Sequence, residues 1–212
     1  MSVMTDSFTA FGEQVKIADM VGNLIGLGAL ALGWRRSVLT WPAQLLAGAV
    51  LITAYLGAQM PGLIGKQVIV IVTALWGWTQ WNRGRRDTGE VTVRFASWTQ
   101  RAVLVLALAA GTAAVAALFA AYPKLSWNPL LDAYIFTGTL AAMYAQARGW
   151  VEFWFAWIAV DVISVPYSYA HGYVFSALTF SIYFVLVLAG LVSWWTKART
   201  VRTAPRAQGV AA

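Results

Sequence analysis

Seven largely apolar segments, long enough to cross a lipid bilayer as helices, follow one another along this chain. A helix rises 1.5 Å per residue, so about 20 apolar residues span the ~30 Å hydrocarbon core of a membrane. The predicted spans are Ala18–Gly33, Val38–Leu56, Gly62–Trp81, Arg101–Ala121, Pro129–Gln146, Gly149–Ser168 and Gly172–Trp195. Only 11% of the 212 residues are charged, against about 25% in soluble domains. We therefore predict an all-α polytopic membrane protein, with one membrane domain over residues 1–200 and a disordered tail over residues 201–212.

The basic residues predict how these spans are oriented. The segments on one side hold twelve of the 15 Lys and Arg residues, and the other side holds only Lys16, Lys66 and Lys124. Because cytoplasmic loops are enriched in Lys and Arg, we expect the N-terminus outside and the C-terminus inside a cell membrane that the chain crosses several times. The net charge of +7 then suits the anionic lipid surface. The expected partner is the lipid bilayer and not a nucleic acid.

A weak internal repeat divides the chain into two halves. Gly77-x3-Trp81 ends the third span and Gly190-x3-Trp194 ends the seventh. We call the separation between Gly77 and Gly190 the repeat interval. This spacing predicts a 3+1+3 arrangement of two parallel three-helix repeats, over residues 18–81 and 129–195, joined by a linker helix over residues 101–121. Transporters are often built from such repeats, with the substrate bound at their interface.

One carboxylate, Asp161, lies in the middle of the sixth span. At helical spacing, the residues that share its face are Trp150, Trp154, Trp157, Ser164 and Ser168. A carboxylate within the hydrocarbon layer is costly, and it marks a functional site by default. The combination of a carboxylate, a hydroxyl and flat indoles suits an uncharged ring-bearing solute that forms hydrogen bonds, so this face predicts a transport site.

Polar residues on other spans are candidates for the same site. They are Gln67 and Trp78 on the third span, Tyr183 on the seventh, Asn23 on the first and Gln146 on the fifth. Gln67 and Gln146 also suit hydrogen bonds between helices, and Ser164 also suits a bond back to its own helix.

Several polar and aromatic residues fit a structural role better. We expect Trp81, Trp150, Trp194 and Trp195 to anchor the ends of helices in the membrane interface. Glu152 lies four residues after Arg148 and is expected to pair with it. Asp132, with Asn128 nearby, is expected to cap the fifth helix.

The sequence argues against enzymes and bound cofactors. It has no Cys and a single His, and it lacks the Gly-x4-Gly-Lys-Ser/Thr phosphate-binding motif, so no metal site, no cofactor and no ATP hydrolysis are expected. An intramembrane aspartyl protease needs two carboxylates that share a site, and Asp161 has no carboxylate partner at its depth.

Two motifs resemble the PnuC-type vitamin transporters. Trp76-Gly-Trp-Thr-Gln-Trp81, preceded by Gln67, is similar to that family's Gln-x6-Asn-x-Tyr-Gly-Trp-Tyr-x-Trp signature. The C-terminal half of the family is matched in order by Glu152, Trp154, Trp157, Asp161-Val-Ile-Ser164, His171-Gly-Tyr173, Tyr183 and Gly190-x3-Trp194. The matches extend over spans two to seven.

The resemblance implies a fold and an activity. It implies seven spans in a 3+1+3 arrangement similar to that of SWEET sugar transporters, and a homotrimer. It also implies facilitated diffusion of a vitamin or its precursor, typically nicotinamide riboside, with riboflavin and thiamine carriers as relatives. Phosphorylation of the solute in the cytoplasm would trap it and make uptake directional.

Two departures from the family pattern favour riboflavin. The family's Asn is Ala74 here and its Tyr is Trp76, while Ala47 stands where nicotinamide riboside carriers often have Asn. A pocket that recognises a carboxamide does so through hydrogen bonds to that group. The three-ring system of a flavin instead needs more stacking surface. Nicotinamide riboside remains the alternative substrate.

A different class of protein also stays open. The vitamin-binding subunit of an ATP-driven importer would have six spans and would dock onto its partners through closely spaced small residues. Gly22 and Gly26 on the first span have that spacing, but seven spans argue against this class.

Overall fold

Seven helices form most of the computed structural model, which describes residues 6–10, 12–57, 61–89, 91–126, 128–170 and 174–203. The helices are α1 Ile17–Trp34, α2 Thr40–Gly57, α3 Pro61–Thr88, α4 Trp98–Ala121, α5 Pro129–Ala147, α6 Glu152–Ala170 and α7 Val174–Thr203. Each corresponds to one predicted span. The all-helical membrane architecture and the number of helices therefore agree with the sequence prediction.

Some helix boundaries differ from the prediction. α3 continues past Trp81 to Thr88, so its last two turns carry the arginines that the sequence placed beyond the span. α7 continues to Thr203, and the first three residues of the predicted disordered tail are therefore helical. The rest of that tail, residues 204–212, and the family motif at 171–173 lie outside the described residues.

A short β-hairpin precedes the bundle and was not predicted. Strands β1 Ser7–Ala10 and β2 Glu13–Lys16 pair antiparallel, with Phe8 opposite Val15. The backbone N–H of Ile17 donates to the carbonyl oxygen of Asp6 at 3.0 Å and joins the hairpin to the start of α1. Four-residue strands with mixed polarity give no clear period in the sequence, which is why the hairpin was missed.

The helices pack as two consecutive groups of three. α1 packs on α2 and α2 on α3, while α5 packs on α6 and α6 on α7. The two groups meet where α1 contacts α7 and where α3 contacts α5. α4 packs along α5 and has no buried residue of its own, so most of its aliphatic surface faces outward, as expected of a helix in lipid.

Length and mean hydropathy alone qualify three of the described segments as membrane spans: Ile17–Trp34, Trp98–Ala121 and Ala177–Thr200. A further apolar segment, Thr40–Leu56, is shorter. α3, α5 and α6 contain more polar and indole-bearing residues, which lower their mean hydropathy. These three helices carry most of the candidate site residues.

Corresponding contacts recur at positions separated by the repeat interval. Trp41 of α2 lies against Gly77 of α3, and its ring meets Trp81 edge-on with the centroids 5.3 Å apart. The same set of contacts appears in the second group, with a centroid distance of 5.6 Å, between Trp154, Gly190 and Trp194. A Cβ on either glycine would overlap the neighbouring indole ring, so both positions require glycine for the same reason.

The turn between α1 and α2 and the turn between α5 and α6 are also separated by the repeat interval. Arg36, between α1 and α2, has a φ of 57°, and Gly149, between α5 and α6, has a φ of 65°. The left-handed conformation at Gly149 ends α5 and delays the start of α6 to Glu152, three residues after the predicted start. Consequently Trp150 is not on the α6 face that the sequence assigned to it.

An extended segment, residues 91–97, crosses the arginine-rich end of the bundle, and we call it the strap. Val91, Val93 and Ala96 are buried in the same core as Trp81 and Trp194. Its backbone is bonded to the turn before α6, because Arg94 donates to the carbonyl oxygen of Gly149 at 2.9 Å and accepts from Val151 at 3.1 Å. The strap thus connects α3 to α4 beneath both groups of helices.

Glu152 secures the strap. Its Oε2 accepts the backbone N–H of Ala96 at 2.9 Å, and its Oε1 lies 2.7 Å from the guanidinium of Arg101. The predicted pair with Arg148 is wrong, because the chain turns at Gly149 and α6 starts only at Glu152. Ser97 and Gln100 form a capping box that starts α4.

Candidate substrate-binding site

Asp161 and Ser164 are buried together on α6, with 2% and 3% of their surfaces exposed. Within the described part of the chain, Asp161 Oδ2 and Ser164 Oγ have no hydrogen-bond partner. The expectation that Ser164 bonds back to its own helix is therefore not met. A buried polar atom without a partner costs about 1–3 kcal/mol, so two such atoms one turn apart suggest a place that a ligand or water completes.

Other buried polar atoms also lack partners among the described residues. They include Nε1 of Trp41, Nε1 of Trp154 and Oε1 of Gln44. Trp41 and Gln44 lie one turn apart on α2, so both groups of helices contribute to this set. The sequence reading missed Gln44, although the repeat interval relates it to the predicted site residue Trp157.

Tyr183 joins α7 to α1. Its hydroxyl donates to the backbone carbonyl oxygen of Asn23 at 2.9 Å and lies over Gly26. The side chain of Asn23 turns back to Asp19 of its own helix, at 3.3 Å from the carboxylate. The structure thus brings Tyr183 to Asn23, which contributes through its backbone.

Gln146 is wholly buried where α2, α3 and α5 meet. Its Oε1 accepts from Nε2 of Gln44 at 3.2 Å, its Nε2 lies 3.5 Å from Oγ1 of Thr40, and its backbone carbonyl accepts the indole N–H of Trp81 at 2.9 Å. The interhelical role that the sequence allowed for Gln146 is therefore present.

Gln67 on α3 faces α2 near Gly48. The repeat interval relates Asp161 to Gly48 of α2, and a Cβ built on Gly48 would lie 3.9 Å from Gln67 Oε1. Gln67 is buried. Trp78 and Trp157 are partly buried and pack against the core.

Four indoles form a buried layer towards the arginine-rich end, and we call Trp41, Trp81, Trp154 and Trp194 the tryptophan layer. The Trp81 and Trp194 rings are 6.2 Å apart and connect the two edge-on pairs. The prediction that Trp81 and Trp194 anchor in the interface is wrong, because both are buried in the core. Trp154 is also fully buried, so it forms a wall of the interior.

Three other aromatic residues lie outside this layer. Trp150, predicted as an anchor, is buried beside the strap, where Arg94 and Arg148 lie 5.5 and 5.8 Å from its ring. Trp195 is partly buried and meets Phe95 edge-on at 5.0 Å. Trp76 stacks on Tyr144 of α5, with the ring centroids 5.5 Å apart. Its ring therefore packs between helices, and the face that contacts Tyr144 is covered.

Asp132 and Asn128 share the start of α5. Asn128 is the capping residue, since its side chain accepts from the N–H of Leu131, while Asp132 accepts from the hydroxyl of Ser126. The expected cap is therefore supplied by Asn128, not by Asp132.

A groove of about 470 Å³ lies between α4 and α5. It contains none of the predicted site residues and is mostly aliphatic, with Val103, Leu104 and Leu108 among its lining residues. Since α4 is otherwise unburied, this groove suits lipid chains better than a polar solute.

The chemistry of these interior groups suits a neutral, flat molecule that forms hydrogen bonds. It offers a carboxylate, a hydroxyl and an amide oxygen without partners, next to indole rings. Within the described ranges no group of three His, Cys, Asp or Glu side chains forms a metal site. Nothing in this chemistry requires a covalent step.

Comparison with known proteins identifies the family. Residues 16–196 match the family described as nicotinamide mononucleotide transporter. The chain belongs to this transporter family. A relative from Streptomyces davaonensis, the riboflavin/roseoflavin transporter RibM, is 53% identical over 197 residues, which cover 92% of each protein.

A solved structure, the crystal structure of the vitamin B3 transporter PnuC, has the same fold. It matches 86% of this chain and 82% of its own length with a TM-score of 0.70, at 15% identity. The resemblance to PnuC-type transporters is confirmed, as is the expectation of a multi-pass membrane transporter and not an enzyme.

Proposed function

We propose that this chain carries riboflavin, and flavin analogues, across the cell membrane. The observation that carries the proposal is the 53% identity, over 92% of both chains, to a riboflavin/roseoflavin transporter. The substitutions at Ala74 and Ala47, which remove amides expected in nicotinamide riboside carriers, point the same way.

The bound flavin lies between the two groups of helices in this proposal. Asp161 and Ser164 bind hydroxyl groups of its ribityl chain, because they offer unpaired buried acceptors one turn apart. Trp157 and Trp78 supply flat surfaces for the ring, and Trp154 closes its wall. The interior is lined and stabilised from the other helices by Gln67, Gln146, Tyr183 and Asn23.

Transport proceeds by facilitated diffusion in this proposal, and phosphorylation of the vitamin in the cytoplasm traps it. Asp161 acts as a hydrogen-bonding anchor for a neutral vitamin. A proton relay would need further acidic or basic groups leading to Asp161, and between Glu152 and the end of α6 the sequence has no other Asp or Glu and no His, Lys or Arg.

We further propose two parallel three-helix repeats with α4 as linker, an external N-terminus, a cytoplasmic C-terminus and a homotrimer. The paired contacts separated by the repeat interval support the two repeats, and the twelve basic residues at one end support the orientation. The trimer rests on the resemblance to the PnuC-type family.

Uptake by the purified chain in liposomes tests this function. Labelled riboflavin, nicotinamide riboside and thiamine are compared without ATP, ion gradients or partner proteins. We expect saturable riboflavin uptake that stops at equal concentrations inside and outside. Preferential nicotinamide riboside uptake would instead support the alternative substrate, and riboflavin flux only with partner chains would support an importer subunit.

A further inference from the structure

Gln44 occupies a position between the tryptophan layer and the polar site. It lies one turn beyond Trp41 on α2 and one turn before Gly48, the position that faces Gln67. At 1.5 Å per residue, four residues separate the level of Gln44 from that of Gly48 by about 6 Å. Gln44 therefore lies on the floor of the proposed site.

The Gln44 amide is held in a fixed direction. Its Nε2 donates to Oε1 of Gln146 at 3.2 Å. Gln146 is itself held by Thr40 and by the indole of Trp81, and Thr40 donates to the carbonyl oxygen of Ala29 at 2.6 Å. This chain of bonds fixes Gln44 through side chains and backbone of several helices.

One acceptor remains unused in this network. Oε1 of Gln44 is buried and has no donor within the described ranges, and one N–H of the same amide is left after the bond to Gln146. A buried amide oxygen without a donor is unfavourable, so a ligand that supplies an N–H or O–H donor gains a specific contact there.

The neighbouring residues decide which ligand group fits. Indoles lie on either side of this level, with Trp41 one turn away on α2 and Trp157 at the corresponding position of the second group. The groups suited to a polyol, Asp161 and Ser164, lie on the next turns of α6. Two groups of the Gln44 amide remain for a ligand, the Oε1 acceptor and one N–H donor. A planar ring edge that has an N–H donor beside a carbonyl acceptor is complementary to both. The isoalloxazine ring carries such an edge, the imide of its pyrimidine ring.

We propose that Gln44 is a specificity-determining residue that recognises the imide edge of the flavin, its Oε1 accepting the imide N–H. This inference rests on the proposed riboflavin transport. It gives the vitamin one orientation, with the ring edge at the tryptophan layer and the ribityl chain at Asp161.

Competition by two flavin analogues tests the inference. Methylation of the imide nitrogen removes the donor, whereas 5-deazariboflavin keeps it and changes a different ring atom. In liposomes with the wild-type chain, we expect the imide-methylated analogue to compete with riboflavin about 10- to 100-fold more weakly than 5-deazariboflavin does. Equal competition by both analogues would overturn the inference without any variant.

Two variants then assign the effect to one residue. In Gln44→Leu the discrimination between the analogues should fall to about threefold or less, because the acceptor is gone. Gln80→Leu, a matched change on α3 beside the strap, should keep the wild-type ratio. Gln44→Met serves the same purpose if Gln44→Leu does not insert, and full discrimination in either Gln44 variant would contradict the proposal.

The result separates this inference from the function on which it rests. No riboflavin uptake by the wild-type chain would contradict the proposed function itself. Riboflavin uptake without discrimination against the imide-methylated analogue would contradict only the role of Gln44.

Discussion

The indole N–H of Trp194 donates to the backbone carbonyl oxygen of Trp34, 3.1 Å away, and so bonds the last helix to the end of the first. Trp81 makes the corresponding bond at 2.9 Å, to the carbonyl oxygen of Gln146 at the end of α5. Each group of helices thus holds the other through one indole of the tryptophan layer. These two bonds close the arginine-rich end of the interior.

Replacing either indole donor should therefore loosen this end. Trp194→Phe and Trp81→Phe each remove one hydrogen bond between a side chain and the backbone of another helix, at a cost of about 0.5–1.5 kcal/mol. We expect a lower midpoint of thermal unfolding for both purified variants. Trp98→Phe is the control, since Trp98 is 81% exposed at the start of α4. Midpoints equal to that of the control would show that the two bonds contribute nothing.

The matched glycines give a second prediction. Gly77→Ala and Gly190→Ala would each push a methyl group into a buried indole, Trp41 or Trp154, and overpacking of this kind costs about 1–3 kcal/mol. Gly28→Ala meets nothing within 4 Å and should be neutral or stabilising. Unfolding of the three variants measures the difference. Clearly unequal effects of the two buried changes would argue against equivalent positions in two repeats.

Tyr183 is predicted to support transport through the backbone of α1. Tyr183→Phe removes the hydroxyl that donates to Asn23 but keeps the ring, so about 1 kcal/mol of stability should be lost and riboflavin uptake should slow. Initial uptake rates at equal protein levels in the membrane measure the effect. Tyr169→Phe is the control, because Tyr169 is half exposed near the end of α6. A wild-type rate in Tyr183→Phe would show that this bond does not support transport.

The strap depends on the charge of Glu152. Glu152→Gln keeps an acceptor for the N–H of Ala96 but loses the ion pair with Arg101, whose side chain is 34% exposed. Solvent screening limits the expected loss to about 1 kcal/mol. Faster proteolysis within residues 91–97 would reveal the loosened strap, and Asp87→Asn on the exposed end of α3 should leave it unchanged. Equal cleavage rates in both variants would contradict the role of Glu152.

The sequence predicted the helices well because their apolar length and basic flanks follow from the bilayer. It also indicated Asp161 as a functional residue, since a carboxylate within an apolar span seldom has a purely structural role. It placed Trp81 and Trp194 in the interface because indoles near span ends usually lie there. The strap covers that end of the bundle, so both indoles are buried and lie away from the interface. It is an irregular segment and gives no periodic signal in the sequence.

The site itself was only partly predictable. Gln44 was missed because a single amide on an apolar helix has no pattern of its own, and its meaning appears only when Gln146 lies beside it. Trp76 was read as a site aromatic, but in the structure its ring is stacked on Tyr144. Contacts between residues far apart in the sequence decide such cases, and sequence periodicity does not report them.

The central claim is that riboflavin crosses through the α6 face that carries Asp161. The most direct measurement is the initial rate of riboflavin uptake into liposomes containing wild-type protein, Asp161→Ala or Trp157→Ala at equal amounts of inserted chain. Loss of a buried hydrogen-bonding group or of a stacking surface should reduce the rate about tenfold or more in each variant. Wild-type rates in both variants would place the riboflavin pathway elsewhere.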